Sequence, residues 1–105
     1  MSTDDGIYNL YFNLCLKYKQ EYGKNVVVLI QVGAFFEVYS VKNASTNIID
    51  NDKSNIINFT ELCGLNISEK KAIFNEQQIV MAGFRDFSID KYITTLVENG
   101  YTVPV

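Results

Sequence analysis

Histidine and tryptophan are absent from this 105-residue chain, proline occurs once and cysteine twice. Without histidine there is no imidazole to serve as general base, to activate a cysteine or to bind zinc. Cys15 and Cys63 lie far apart, neither has a neighbour at ligand spacing, and both read as small apolar side chains. A basic excess is missing too: Lys and Arg number 9 against 12 Asp and Glu, for a net charge of -3 and a pI near 4.8. Non-specific nucleic-acid binding rests mostly on phosphate neutralisation by Lys and Arg, so this balance argues against strong binding by the domain alone. The longest apolar run, residues 26–30, is far too short to cross a bilayer. The start, Met1-Ser2-Thr3-Asp4-Asp5, is acidic and lacks the basic and apolar parts of a signal peptide. An intracellular, soluble protein with no membrane partner is the expectation. The sequons at Asn43, Asn58 and Asn66 then reflect asparagine-rich composition rather than glycosylation.

What is present is an ordinary globular composition, 48% hydrophobic and 20% charged. Residues 1–105 read as a single domain able to bury a real core. Ile7, Leu10, Tyr11, Leu14, Cys15 and Tyr18 recur at helical spacing, with Asp4 and Asp5 placed for a helix start and Gly23 for its end. That predicts an amphipathic first helix of about four turns. Residues 26–30 are β-branched and continuous, as in a central strand buried on both faces. Residues 35–41 read as a second strand, joined to the first by a hairpin across Gly33-Ala34. A polar loop over 42–55 precedes a short helix ended by Gly64, then a short strand at 65–68 and a charged hairpin arm or mobile loop over 69–77. Residues 79–84 form a third apolar strand, and Ser88 caps a last helix closed by Asn99-Gly100. A strand beginning at Tyr101 stops at Val105 without a turn or polar tail, and the expectation is the front piece of a longer protein. The whole is an α/β domain: a mixed β-sheet flanked by about three helices.

Little here supports catalysis. There is no phosphate-binding loop, Gly33 stands alone, and Asp50 with Asp52 offers at most weak cation binding in a solvated loop. Gly6-Ile7-Tyr8 spells half of a nuclease signature whose other half is missing. The more informative stretch is Gln31-Val32-Gly33-Ala34-Phe35-Phe36-Glu37-Val38-Tyr39. Side chains alternate along a strand, so Phe36 and Val38 share one face, and Phe35, Glu37 and Tyr39 the other. An unpaired carboxylate is costly to bury, which assigns Phe36 and Val38 to the core and brings Phe35 and Glu37 out together beside the turn. An exposed ring next to a carboxylate suits a wedge that enters a base stack and offers a polar contact to the displaced base. The residue pattern alone favours the plainer reading, a Phe35 packed under a loop with Glu37 as surface charge, since that is the commoner use of strand aromatics.

Gly33-Ala34-Phe35-Phe36-Glu37 resembles the Gly-x-Phe-Tyr-Glu motif of the MutS family of DNA mismatch-repair proteins, in its N-terminal mismatch-recognition domain. Residues 11–18 resemble that family's first helix, 26–33 its following strand, and Met81-Ala82-Gly83 its Met-Ala-Gly strand. Residues 92–103, as Tyr-Ile-x-x-Leu-Val-x-x-Gly-Tyr-x-Val, resemble its last helix and strand. The resemblance implies that Phe35 stacks on a mispaired base, that Glu37 hydrogen-bonds it, and that the partner is double-stranded DNA with mismatches. From the residues themselves, no cofactor, no metal and no catalysis is expected within this chain. The full-length protein would be a homodimeric ATPase whose other domains clamp the DNA. Ala34, Phe36, the Arg85-Asp86-Phe87 stretch and the polar loop over 42–55 depart from the family pattern and mark a divergent member. Lys70, Lys71 and Arg85 are candidates for DNA-backbone contacts, with a solvated lysine pair as the plain alternative. The rival to mismatch recognition is a structural or protein-interaction domain of the same fold that has lost mismatch reading.

Overall fold

The computed structural model describes residues 3–105, with side chains from Gly6 onward. The carboxylates of Asp4 and Asp5, expected at the first helix start, lie outside the described side chains. Helix α1 (Thr3–Tyr22) is longer than the four turns expected, and it docks by a neighbouring row of its surface. Tyr8, Tyr11, Phe12 and Cys15, spaced i, i+3, i+4, i+7, are all buried, whereas Leu10 is exposed. The physical reason is area: three large rings in one row bury more than the Ile7-Leu10-Leu14 row can. Gly23, at φ +89°, then ends the helix, its N–H donating to the Lys19 carbonyl at 2.9 Å.

Four strands follow: β1 (Ile30–Val32), β2 (Phe35–Lys42), β3 (Ser68–Phe74) and β4 (Gln77–Arg85). They pair antiparallel in the order β1-β2-β4-β3. The expected hairpin forms across Gly33-Ala34, with Val32 facing Phe35. The charged stretch 69–77 is the arm of a second hairpin, which turns at Asn75 and Glu76, both with positive φ. Residues 26–29 correct the reading of a central strand. They are buried, but they pair in parallel with the C-terminal segment, through a Val26–Thr102 bridge and N–H bonds from Val27 to Thr102 O (3.0 Å) and Leu29 to Pro104 O (2.9 Å). This parallel pairing is what makes an otherwise antiparallel arrangement mixed.

The remaining helices are α2 (Ile56–Cys63), ended by a left-handed Gly64 as expected, and α3 (Ile89–Glu98). Ser88 stands at the N-cap position of α3 as expected, but it also ends a 3-10 helix (Asp86–Ser88), and its hydroxyl makes no capping bond. At α2 the Asn51 carboxamide oxygen takes that role from a distance, accepting from Ile57 N–H at 2.8 Å.

Three layers result. On one face of the sheet, Tyr39 meets Tyr8 and Tyr11 of α1 edge-on, with centroids 5.0 and 5.2 Å apart, and Phe74 meets Phe12 at 5.3 Å. On the other face, Phe36 and its cross-strand partner Phe84 (5.9 Å) lie under Phe59 of α2 and Tyr92 of α3. One polar bond secures α1 to the parallel segment, the buried Tyr11 hydroxyl donating to the Val28 carbonyl at 2.8 Å. Tyr11→Phe leaves that carbonyl short of a partner and is expected to cost about 1–2 kcal/mol in urea unfolding. An unchanged midpoint would show that the bond contributes nothing.

Both thiols are free. Burial pushes the Cys15 thiol up to about 11, and burial also raises Cys63, which is only half-buried. At pH 8 the Cys15 thiolate fraction is then about one in a thousand. Labelling by a thiol reagent at pH 8 is expected at Cys63 alone, with Cys15 reacting only after denaturant is added. Among the described residues, no helix is long and apolar enough to cross a membrane.

Candidate nucleic-acid interface

Strand β2 presents two kinds of side chain from one face. At its first residue, just past the Gly33-Ala34 turn, Phe35 is 42% exposed. Gly33 takes φ +60°, the left-handed geometry that this two-residue turn requires. Arg85 is the cross-strand partner of Phe35, and its guanidinium stands over the ring, 5.3 Å from the centroid. The tip is tied down by a bond from Asp86 N–H to the Ala34 carbonyl at 2.8 Å. Next to it Phe87, in the 3-10 helix, is 81% exposed. The end of the sheet therefore displays two exposed rings and a cation.

Two residues along β2, Glu37 does not emerge with Phe35. It is 7% exposed, which corrects the expectation of a surface carboxylate. The alternation argument placed Phe35, Glu37 and Tyr39 on one face correctly, but that face is covered beyond Phe35 by α1 and by β3. The carboxylate is provided for. Its Oε1 accepts a hydrogen bond from the Tyr39 hydroxyl, and Lys70 Nζ of β3 lies 3.8 Å from the same oxygen. Lys70 also stands over the Tyr39 ring, 5.7 Å from its centroid. A hydroxyl donor and a counter-ion supply what water would otherwise give, and that is why this charge can sit inside.

Space for it comes from across the ladder. Gly83 is the register partner of Glu37, and a Cβ there would stand 2.6 Å from the Phe36 carbonyl oxygen and 3.2 Å from Glu37 Cγ. Sequence reasoning saw Gly83 only as part of a tripeptide. A glycine facing a carboxylate across a buried pair is the signal that was there to find.

The structure thus gathers Phe35, Arg85, Glu37 and Lys70 on one face near one end of the sheet. Lys71 is exposed and joins none of these contacts among the described residues. Tyr39, read from the sequence only as a strand aromatic, proves to be a direct partner of Glu37. Among the described residues, no group of three His, Cys, Asp or Glu stands together to hold a metal; Asp50 and Asp52 are both exposed, Asp52 within a short 3-10 helix (Asn51–Lys53).

A family model for MutS domain I matches residues 11–105. The chain belongs to this family. No curated protein sequence matches it. The match takes in α1 from Tyr11 onward, all four strands and both later helices, so the observed layers are those of a MutS domain I. Membership makes the chain a mismatch-recognition domain in general terms, a DNA-binding module rather than a catalytic one. Within it, Gly83 carries a direct structural burden. Gly83→Ala is expected to force the Phe36 carbonyl and the Glu37 side chain apart, at a cost of about 1–3 kcal/mol in chemical denaturation. A variant as stable as the parent would mean that the ladder yields freely at this point.

Proposed function

We propose that this domain reads mispaired double-stranded DNA by inserting Phe35 beside the mispaired base, with Glu37 as the polar contact to the displaced base. The observation that carries the reading is the Phe35 ring, 42% exposed at the tip of a tethered hairpin whose next residue is anchored in the core. A wedge must be exposed and must not fold back when pushed; the buried Phe36 and the Asp86–Ala34 bond supply the resistance. A mismatched step is already poorly stacked and easily kinked, so the unstacking cost is smallest there.

Charge fits the same reading. At -3 the domain grips ordinary duplex poorly, which favours discrimination over affinity. Arg85 over the exposed Phe35 ring and Lys70 beside Glu37 are the two cations nearest the proposed wedge, and in this reading they are the side chains available to DNA phosphates. In this reading the full-length protein is a homodimeric, ATP-using clamp in which other domains hold the DNA and this one interrogates it.

The burial of Glu37 favours one rival, an interaction domain of the same fold that no longer reads mismatches. Phe35→Ala in the full-length protein separates the two. Loss of at least about fivefold in preference for mismatched over matched duplex is expected, since a stacked base is worth about 1–3 kcal/mol. If the ratio of the two dissociation constants stays where it was, the rival stands and the wedge does not.

A further inference from the structure

We propose that Lys70 is a displaceable counter-ion for Glu37, exchanging that carboxylate for a DNA phosphate when a displaced base takes the carboxylate over. This rests on the mismatch-reading function above and makes Lys70 a specificity-determining residue of the same site. Three observations carry it. Glu37 is buried, with a side chain 9% exposed, so it cannot meet a base without giving up part of its present shell. Its two partners among the described residues converge on one oxygen, Oε1, and they differ in kind. Tyr39 is fixed: it is 1% exposed, and its ring is wedged between those of Tyr8 and Tyr11. Lys70 is not: its side chain is 37% exposed, it sits at a loose 3.8 Å, and it lies on the irregular part of β3, where the pairing shifts register between Glu69 and Ile73.

The two states follow from electrostatics. With no displaced base at hand, Lys70 neutralises Glu37 and is held in by it, so neither charge acts on the DNA. A displaced base that donates to the carboxylate takes over the stabilising role, Tyr39 keeps the carboxylate in place, and the flexible lysine turns to the nearest phosphate. A phosphate contact is thereby gained only at a mismatch. The carboxylate then does more than touch the base, since it gates a cation, and affinity rises where the base pair is broken.

Counterion release gives the exchange its own signature. Each phosphate contact adds about 0.9 to the steepness of log K against log salt on duplex DNA. In the full-length protein, the slope on mismatched duplex is expected to exceed that on matched duplex by about that amount. Lys70→Met should remove the difference by flattening the mismatched slope alone. Glu37→Gln, which keeps the volume and frees Lys70 in both complexes, should steepen the matched slope to equal the mismatched one; it covers the case in which Lys70→Met fails to fold. Equal flattening of both slopes by Lys70→Met would make Lys70 a standing backbone contact and overturn the exchange. So would an unchanged matched slope in Glu37→Gln. Either result leaves mismatch reading intact provided that Phe35→Ala, measured alongside, shows the expected loss of discrimination. If Phe35→Ala discriminates as before, it is the underlying function that fails.

Discussion

Strand β2 is covered on both faces from Phe36 to Val41, and most of the architecture answers to that constraint. A strand in the middle of three layers has no solvent to fall back on, so each side chain must find its complement in the protein. Apolar residues do this by area: Phe36 with Phe84, and Tyr39 with the two tyrosines of α1. Glu37 cannot. Its charge obliges the fold to bring a hydroxyl from two residues along and an ammonium from β3, and to leave the facing position on β4 without a side chain. The rare feature in the core thus dictates the identity of three neighbours.

The same constraint divides the site into a rigid half and a yielding half. Phe35 is the first residue of β2 and escapes the cover, yet it is held by the residue after it and by the bond between the hairpin tip and the end of β4. The carboxylate two positions later is held as well, but by one firm partner and one loose one. A probe needs stiffness where it enters and adaptability where it reads. Both come here from a single strand, through the different depths at which alternate residues of one face lie.

Much of this was legible in the residues. The class of fold, the hairpin across Gly33-Ala34, the Gly64 stop, the core role of Phe36 and Val38 and the exposure of Phe35 all follow from local rules of period, turn chemistry and burial. The errors share a cause. Alternation tells which face Glu37 is on, but what covers that face is decided by α1 and by β3, far off in sequence. The docking row of α1 depends on which side chains meet Tyr39, so Leu10 was misplaced by one row although the helix itself was right. Residues 26–29 look like a central strand because they are buried and β-branched. Nothing local shows that their hydrogen-bonding partner is the segment around Thr102 and Pro104. Residue pattern could suggest the carboxylate's importance but not its surroundings, since those are tertiary.

The irregular stretch of β3 also bears on how the molecule keeps to itself. A sheet in the order β1-β2-β4-β3 has two open edges, and an open edge is a template on which another chain can add a strand. At one edge β1 is only three residues long. At the other, the break in register between Glu69 and Ile73 interrupts the ladder, and exposed Glu69 and Lys71 flank Lys70. Neither edge offers a long, flat, uncharged row of donors and acceptors. The kink that leaves Lys70 loosely placed is therefore also a guard against edge-to-edge self-association, in a chain whose small net charge gives it little repulsion to rely on.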